Sequence, residues 1–259
     1  MAEDREPTKN FADLIQIVKI LRKECPWDRK QTHQSIKDNL IEEAYEAVEA
    51  IDTEDFGELK NELGDVLLHV VFHSNMADET DRFTVDDVIY AIQDKLIRRH
   101  PHVFGDQVAD DDEQVAENWE TIKKQKEGKE SILDGIPKPL PALIRAQRMQ
   151  EKAANVGFDW PQSQQVWDKL EEELREFKEA VEQENPQKSR EEFGDLLFSL
   201  VNFGRFYDLN AEDSLRSTNR KFIQRFQYIE QQLDKQEKSI SETSLEEMDK
   251  HWEEAKTDR

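Results

Sequence analysis

Apolar positions along this chain recur with helical period, and the pattern occurs twice. Phe11, Leu14, Ile15, Val18 and Leu21 fall three and four residues apart, a stripe down one face of a helix that Pro26 must end. Leu143, Ile144, Ala146, Met149 and Ala153 draw a second stripe over about 142–154, ending at Gly157. A tryptophan-bearing loop follows each, Cys25-Pro26-Trp27-Asp28 in one half and Gly157-Phe158-Asp159-Trp160 in the other. Each loop leads into a polar helix, then a turn near 53–56 or at Asn185-Pro186. The next helix turns strongly apolar: Val66, Leu67, Leu68, Val70, Val71 and Phe72, against Leu196, Leu197, Phe198, Leu200, Val201 and Phe203.

A fourth helix also repeats, with DKLIRR at 94–99 aligning to RKFIQR at 220–225. Each copy closes on an acidic segment around a tryptophan, Trp119 and Trp252. Gly128, Gly135, Pro137, Pro139 and Pro141 interrupt the helical pattern, which predicts a linker at 126–141 between domains at 1–125 and 142–259. No strand-like alternation with hairpin signals interrupts this reading. The expected fold is all-α, in two tandem helical-bundle domains.

Composition narrows the picture. Only eight glycines and eight prolines stand among 259 residues, which favours long helices over a turn-rich β fold. Charged residues make up 37% and the net charge is −23, so a protein that binds a nucleic-acid polymer is not expected. A small phosphorylated ligand remains compatible, because a divalent metal bridges acids to phosphates. The lone cysteine, Cys25, precludes an intramolecular disulfide and suits a reducing compartment. The polar N-terminus is unlike a signal peptide, and the apolar runs are too short to span a bilayer. The expected location is the cytoplasm, with no membrane partner.

The repeat carries acids at identical spacing. Glu43 and Glu46 are followed by Glu62 and Asp65; Glu173 and Glu176 are followed by Glu192 and Asp195. Acids three apart share a helix face, and two antiparallel helices would gather four carboxylates in one place. Such a cluster is unfavourable unless a cation sits in it. Any one ExxE in so acidic a chain is ordinarily a solvated face. Here the second pair stands where its helix enters the core, around a glycine (Gly64, Gly194). That glycine costs a helix about 1 kcal/mol relative to alanine, which predicts close approach of a neighbour or a ligand. All-oxygen ligation points to Mg²⁺, with Mn²⁺ as substitute, and so to phosphoryl chemistry.

Lys95 and Arg99, and likewise Lys221 and Arg225, are i, i+4 cations on the repeated fourth helix. Beside a metal–carboxylate cluster they would serve phosphate oxygens; otherwise they pair with surface acids. Trp119 and Trp252 suit either base stacking or packing, whereas Trp27 and Trp160, at loop corners, read as structural. His100 and His102 lie in an RRHPHVF string, but Phe226 stands where His100 would repeat, so chemistry common to both halves does not need it. No GxxxxGK[ST] phosphate loop is present, which excludes a P-loop NTPase.

Taken together, EExxE at 42–46 and 172–176, ExxD at 62–65 and 192–195, CPWD at 25–28 and RRHPHVF at 98–104 resemble the MazG-type nucleoside triphosphate pyrophosphohydrolases, in their tandem two-domain form. The resemblance implies all-α bundles that pair as a homodimer. It also implies Mg²⁺-dependent hydrolysis of nucleoside triphosphates, between the α and β phosphates, to monophosphate and pyrophosphate. Broad base tolerance and clearance of aberrant nucleotides come with it. Its metal ligands would be Glu43, Glu46, Glu62 and Asp65, and Glu173, Glu176, Glu192 and Asp195. Its nucleotide contacts would include Lys95, Arg99, Lys221, Arg225, Trp119 and Trp252.

The copies differ in cations. Lys169 and Lys188 precede Glu173 and Glu192 by four residues, where the first copy has Asn39 and Glu58. The C-terminal half is therefore the expected main catalytic site. Lys169 and Lys188 would add to its nucleotide contacts, and Glu172 would orient the attacking water or take its proton. Two rivals remain: a nucleotide- or alarmone-binding regulator without turnover, and a helical interaction protein whose acids are only a solvated face.

Overall fold

A computed structural model describes residues 6–105 and 131–257. Trp119 and the 126–130 part of the expected linker lie outside the described residues. The chain divides into two compact units, Met1–Val115 and Ala116–Arg259. Among the described residues there are ten α-helices, two short 3-10 turns and no strand, so the all-α expectation holds.

In the first unit α1 is Phe11–Glu24, α2 is Lys37–Asp52, α3 is Phe56–Asp78, α4 is Val85–Arg99 and α5 is Pro101–Phe104. In the second, α6 is Ala142–Ala154, α7 is Ser163–Glu182, α8 is Pro186–Phe206, α9 is Ala211–Lys235 and α10 is Leu245–Thr257. In each unit the two acid-bearing helices make its largest helix–helix contact, α2 with α3 and α7 with α8. The short connection between them forces the pair antiparallel. Its chemistry repeats too: Glu54 and Glu184 take the left-handed conformation, with φ of 56° and 50°. The next residue caps the following helix. Asp55 accepts from the amides of Gly57 and Glu58, and Asn185 from that of Lys188, as oxygen-bearing N-caps do.

The first unit's core is Val18, Ile36, Val71, Phe72 and Met76, with Leu14, Ile15 and Leu68 against it. Burying each large side chain there contributes roughly 1.5–3 kcal/mol. The apolar run of α3 is only half spent on it. Val71 and Phe72 are buried, while Leu63, Leu67 and Val70 stay exposed, as do Leu174, Phe193, Leu197 and Leu200 in the second unit.

An arginine fixes each tryptophan-bearing loop. Arg22 forks onto Glu79 at 2.8 and 2.6 Å while donating to the carbonyls of Asp28 and Gln31. Arg205, on α8, forks onto Asp159 at 2.9 and 2.7 Å. Bidentate pairs of this kind fix geometry as well as adding energy. One alternative fails: a Cβ placed at Gly64 or Gly194 would meet nothing within 4 Å, so no neighbouring element within the unit requires these glycines, and of the two expected reasons for them only a ligand is left.

Candidate active site

The antiparallel pairing of acid helices brings together three of each four acids. In the first unit, carboxylate oxygens of Glu43, Glu62 and Asp65 all lie within 4.8 Å of one another; in the second, those of Glu173, Glu176 and Glu192 do. The fourth member of each quartet stands just outside its trio. Glu46 adds to the negative field on Glu62, and Asp195 to that on Glu192.

Electrostatics mark both clusters as short of positive charge. In the first, Glu62 is 7% exposed. Burial, a hydrogen bond with Glu58, and the charges of Glu46 and Glu43 push its carboxyl up to about 7. Burial and Asp65 likewise raise Glu43. In the second, burial, then Glu176, Asp195 and Glu173, raise Glu192 against the opposing pull of Lys188. Glu173 is 6% exposed, and its Oε2 has no hydrogen-bond partner. A buried carboxylate oxygen without a donor, facing two more carboxylates, fits a hard divalent cation by its chemistry.

These shifts have a consequence for stability. A carboxyl whose folded pKa exceeds its unfolded value favours the folded state at low pH, and that contribution is lost as pH rises through the folded value. For Glu62 the window runs from about 4.5 to about 7. The thermal midpoint of chelator-treated protein should therefore fall as pH rises from 5.5 to 8. Glu62→Gln should flatten that fall and saturating Mg²⁺ should oppose it; thermal scans across this range check both.

The units differ around their acids as the sequence suggests. Lys169 Nζ lies 2.7 Å from Glu173 and 3.2 Å from Glu172, and Lys188 lies 4.0 Å from Glu192. The hydrogen bond to Glu173 raises the pKa of Lys169, so it stays charged. At the place of Lys188 the first unit has Glu58, which presses on Glu62. On α3, His73 Nδ1 meets His33 Nδ1 at 2.8 Å; at the place of His73 the second unit has Phe203.

A cavity of about 490 Å³ opens beside the second cluster, bounded by Lys169, Glu173 and Asp195 together with Phe158, Trp160 and Phe198. Its volume is that of a small-molecule pocket. Trp160, read from the sequence as structural, forms part of this wall. So do Gln150, Ser199, Asn202 and Arg205, none of which the sequence marked. A glutamine on an amphipathic stripe resembles surface, and only the fold buries it.

Lys221, Arg225 and Trp252 are not in that wall. Arg225 instead lies over the Trp252 ring at 5.3 Å, and Phe222 packs against the same ring. Arg99 ends α4, and Lys95 lies one turn before it.

A family model for the MazG nucleotide pyrophosphohydrolase domain matches the chain twice, over residues 31–104 and 162–229. The two matches embrace both acid clusters. A nucleoside triphosphate pyrophosphohydrolase/pyrophosphatase MazG of Thermotoga maritima is 48% identical over 95% of this chain and 95% of its own length. A nucleoside triphosphate pyrophosphohydrolase of Escherichia coli is 42% identical over 90% of each. An uncharacterized protein of Bacillus subtilis, YabN, is 47% identical over 95% of this chain and 51% of its own length. With its domain present in both halves and such relatives along nearly its whole length, the chain belongs to the MazG nucleotide pyrophosphohydrolase family.

Proposed function

We propose that the chain is a nucleoside triphosphate pyrophosphohydrolase that cuts between the α and β phosphates, releasing nucleoside monophosphate and pyrophosphate. The observation that carries the reading is the second cluster, where Glu173, Glu176 and Glu192 converge beside a cavity and two lysines. Glu173, Glu176, Glu192 and Asp195 would hold Mg²⁺, with Mn²⁺ as substitute; Glu43, Glu46, Glu62 and Asp65 would do so in the first unit. When bound, the cation supplies Lewis-acid polarisation of phosphate oxygens and acidification of water.

The remaining work falls to the chain's own groups. Glu172, beside Lys169, orients a water and takes its proton as the water oxygen bonds to the α-phosphorus. The bond from that phosphorus to the α–β bridging oxygen breaks, and its electrons leave with pyrophosphate. Lys169 and Lys188 would offset charge on the triphosphate, their acid partners being the residues that would hold the cation. Lys221 and Arg225, and Lys95 and Arg99 in the first unit, serve the outer phosphates. Trp252 positions Arg225 by stacking beneath its guanidinium.

The acid helices leave apolar side chains exposed on both units, and pairing of two copies as a homodimer would cover them. Broad base tolerance, a role in clearing aberrant nucleotides and a cytoplasmic location complete the reading. Among the described residues no helix is long and apolar enough to cross a membrane. The experiment is incubation with Mg²⁺ and each common nucleoside triphosphate, with pyrophosphate and orthophosphate measured separately. Pyrophosphate supports the reading; nucleotide binding with neither product would instead leave a regulator.

A further inference from the structure

The last helix of the second unit has little apolar surface to hold it. Among the described helices, α10 makes its extended contact with α9 alone. Its one fully buried residue is a histidine, His251, at 6% exposed. Met248, Trp252 and Ala255 are only partly buried, and Leu245 stands in solvent. A helix ordinarily docks through an apolar stripe; α9 buries Ile229 and Leu233, but α10 buries an imidazole. Lys238, in the connection, pairs with Glu247. That pair is open to solvent, and such pairs contribute too little to fix how two helices meet.

An imidazole is tolerated in a core when its nitrogens are partnered, and both nitrogens of His251 are. Nδ1 lies 2.8 Å from Glu254 Oε2, one turn further along α10. Nε2 lies 3.3 Å from Nε2 of Gln236, the C-cap of α9. A carboxylate only accepts, so the neutral ring carries its proton on Nδ1, and Nε2 accepts from the Gln236 amide. Glu254 thus orients the ring within its own helix, while Gln236 ties it to the other. Only one rotation of α10, at one position along α9, lets His251 meet Gln236. Successive residues of a helix are about 100° apart, so turning His251 inward fixes where Trp252 goes. It goes to Arg225, whose Cζ is 5.3 Å from the ring centroid, with Phe222 against the same ring at 5.3 Å.

We propose that His251 is a positioning residue for nucleotide binding: through Gln236 it sets the register of α10 on α9, and so holds the Trp252 ring beneath the Arg225 guanidinium. His251 belongs neither to the acid cluster nor to the cavity wall, and its influence on the triphosphate passes through Arg225. The place of Arg225 at the outer phosphates rests on the function proposed above. Without the latch α10 shifts on α9, Trp252 leaves the guanidinium, and Arg225 regains the rotamers that stacking denies it. The loss falls on binding rather than on the chemical step.

The test is a double-mutant cycle on the full chain, reading pyrophosphate release against nucleoside triphosphate concentration at saturating Mg²⁺. His251→Leu, which keeps bulk in the core without the two hydrogen bonds, should raise KM about tenfold, the scale of one bond to a charged group. It should change kcat by less than about threefold, as loss of uniform binding does. Arg225→Ala should raise KM at least as far. The double variant should be no worse than Arg225→Ala, because a residue that acts through another adds nothing once the other is gone. Gln236→Leu breaks the latch from α9 with His251 intact; it should give the same rise, and it decides the matter if His251→Leu loses helicity by circular dichroism. A histidine that only stabilised the fold would lower the thermal midpoint and leave KM alone. The proposal is overturned by an unaltered KM in His251→Leu and Gln236→Leu, by rises that multiply in the double variant, or by an Arg225→Ala protein with the parent's KM. If the parent releases no pyrophosphate, the hydrolase reading falls. The same cycle, run calorimetrically with the α,β-methylene analogue of adenosine triphosphate, then decides the proposal on Kd by the same criteria.

Discussion

Glu192→Gln should lower nucleoside triphosphate hydrolysis by roughly 10²–10³-fold, the scale on which a preorganised electrostatic group acts in a transition state. The substitution keeps side-chain volume and helix propensity, and removes one negative charge from a cluster where burial, Glu176, Asp195 and Glu173 already raise that carboxyl. The metal-free variant should therefore be at least as stable as the parent protein, with the same helical content. Lost activity together with retained or raised thermal midpoint separates a role in the site from a role in folding. Steady-state kinetics and thermal scans on one preparation check both halves. Normal turnover in this variant would contradict the assignment of the second cluster as the reaction centre.

The second large effect is an inequality between the clusters. Glu62→Gln should leave most of the turnover in place, whereas Glu192→Gln removes it and the double variant is no worse than Glu192→Gln alone. The reason is charge. A triphosphate approaching the second cluster meets Lys169, at 2.7 Å from Glu173, and Lys188, at 4.0 Å from Glu192. At the first it meets Glu58 pressing on Glu62. Each unit charge of the wrong sign near a surface site costs on the order of a few kcal/mol at short range. Pyrophosphate release measured on the three variants at saturating Mg²⁺ gives the result. Equal losses from Glu62→Gln and Glu192→Gln would show that acids alone decide activity.

The helices and the acids were readable because both obey short-range rules. An apolar stripe at helical period places a helix, and acids three apart place a pair on one face. The repeat then implied the antiparallel hairpin that brings Glu173 and Glu176 to Glu192. Which member of each quartet would stand outside the trio was not readable, since Glu46 and Asp195 depend on how the two helices rotate in packing. Exposure along the apolar run also escaped the sequence. Val71 goes inward while Leu67 and Val70 stay out, and period alone does not say which face has a partner.

The pocket residues were hidden for a related reason. Gln150, Trp160 and Asn202 come from a helix, a loop and another helix, and their meeting is set by long-range packing. Comparing the two copies position by position would have exposed the exchange of Phe72 for Asn202, the one signal in the sequence that the second core is not built to be filled.

The most direct measurement of the central claim is hydrolysis in ¹⁸O-labelled water, with mass spectrometry of both products. Attack at the α-phosphorus by the second cluster predicts ¹⁸O in the nucleoside monophosphate and unlabelled pyrophosphate, with both products reduced by roughly 10²–10³-fold in Glu192→Gln. Labelled pyrophosphate, or orthophosphate as the first product, would contradict it.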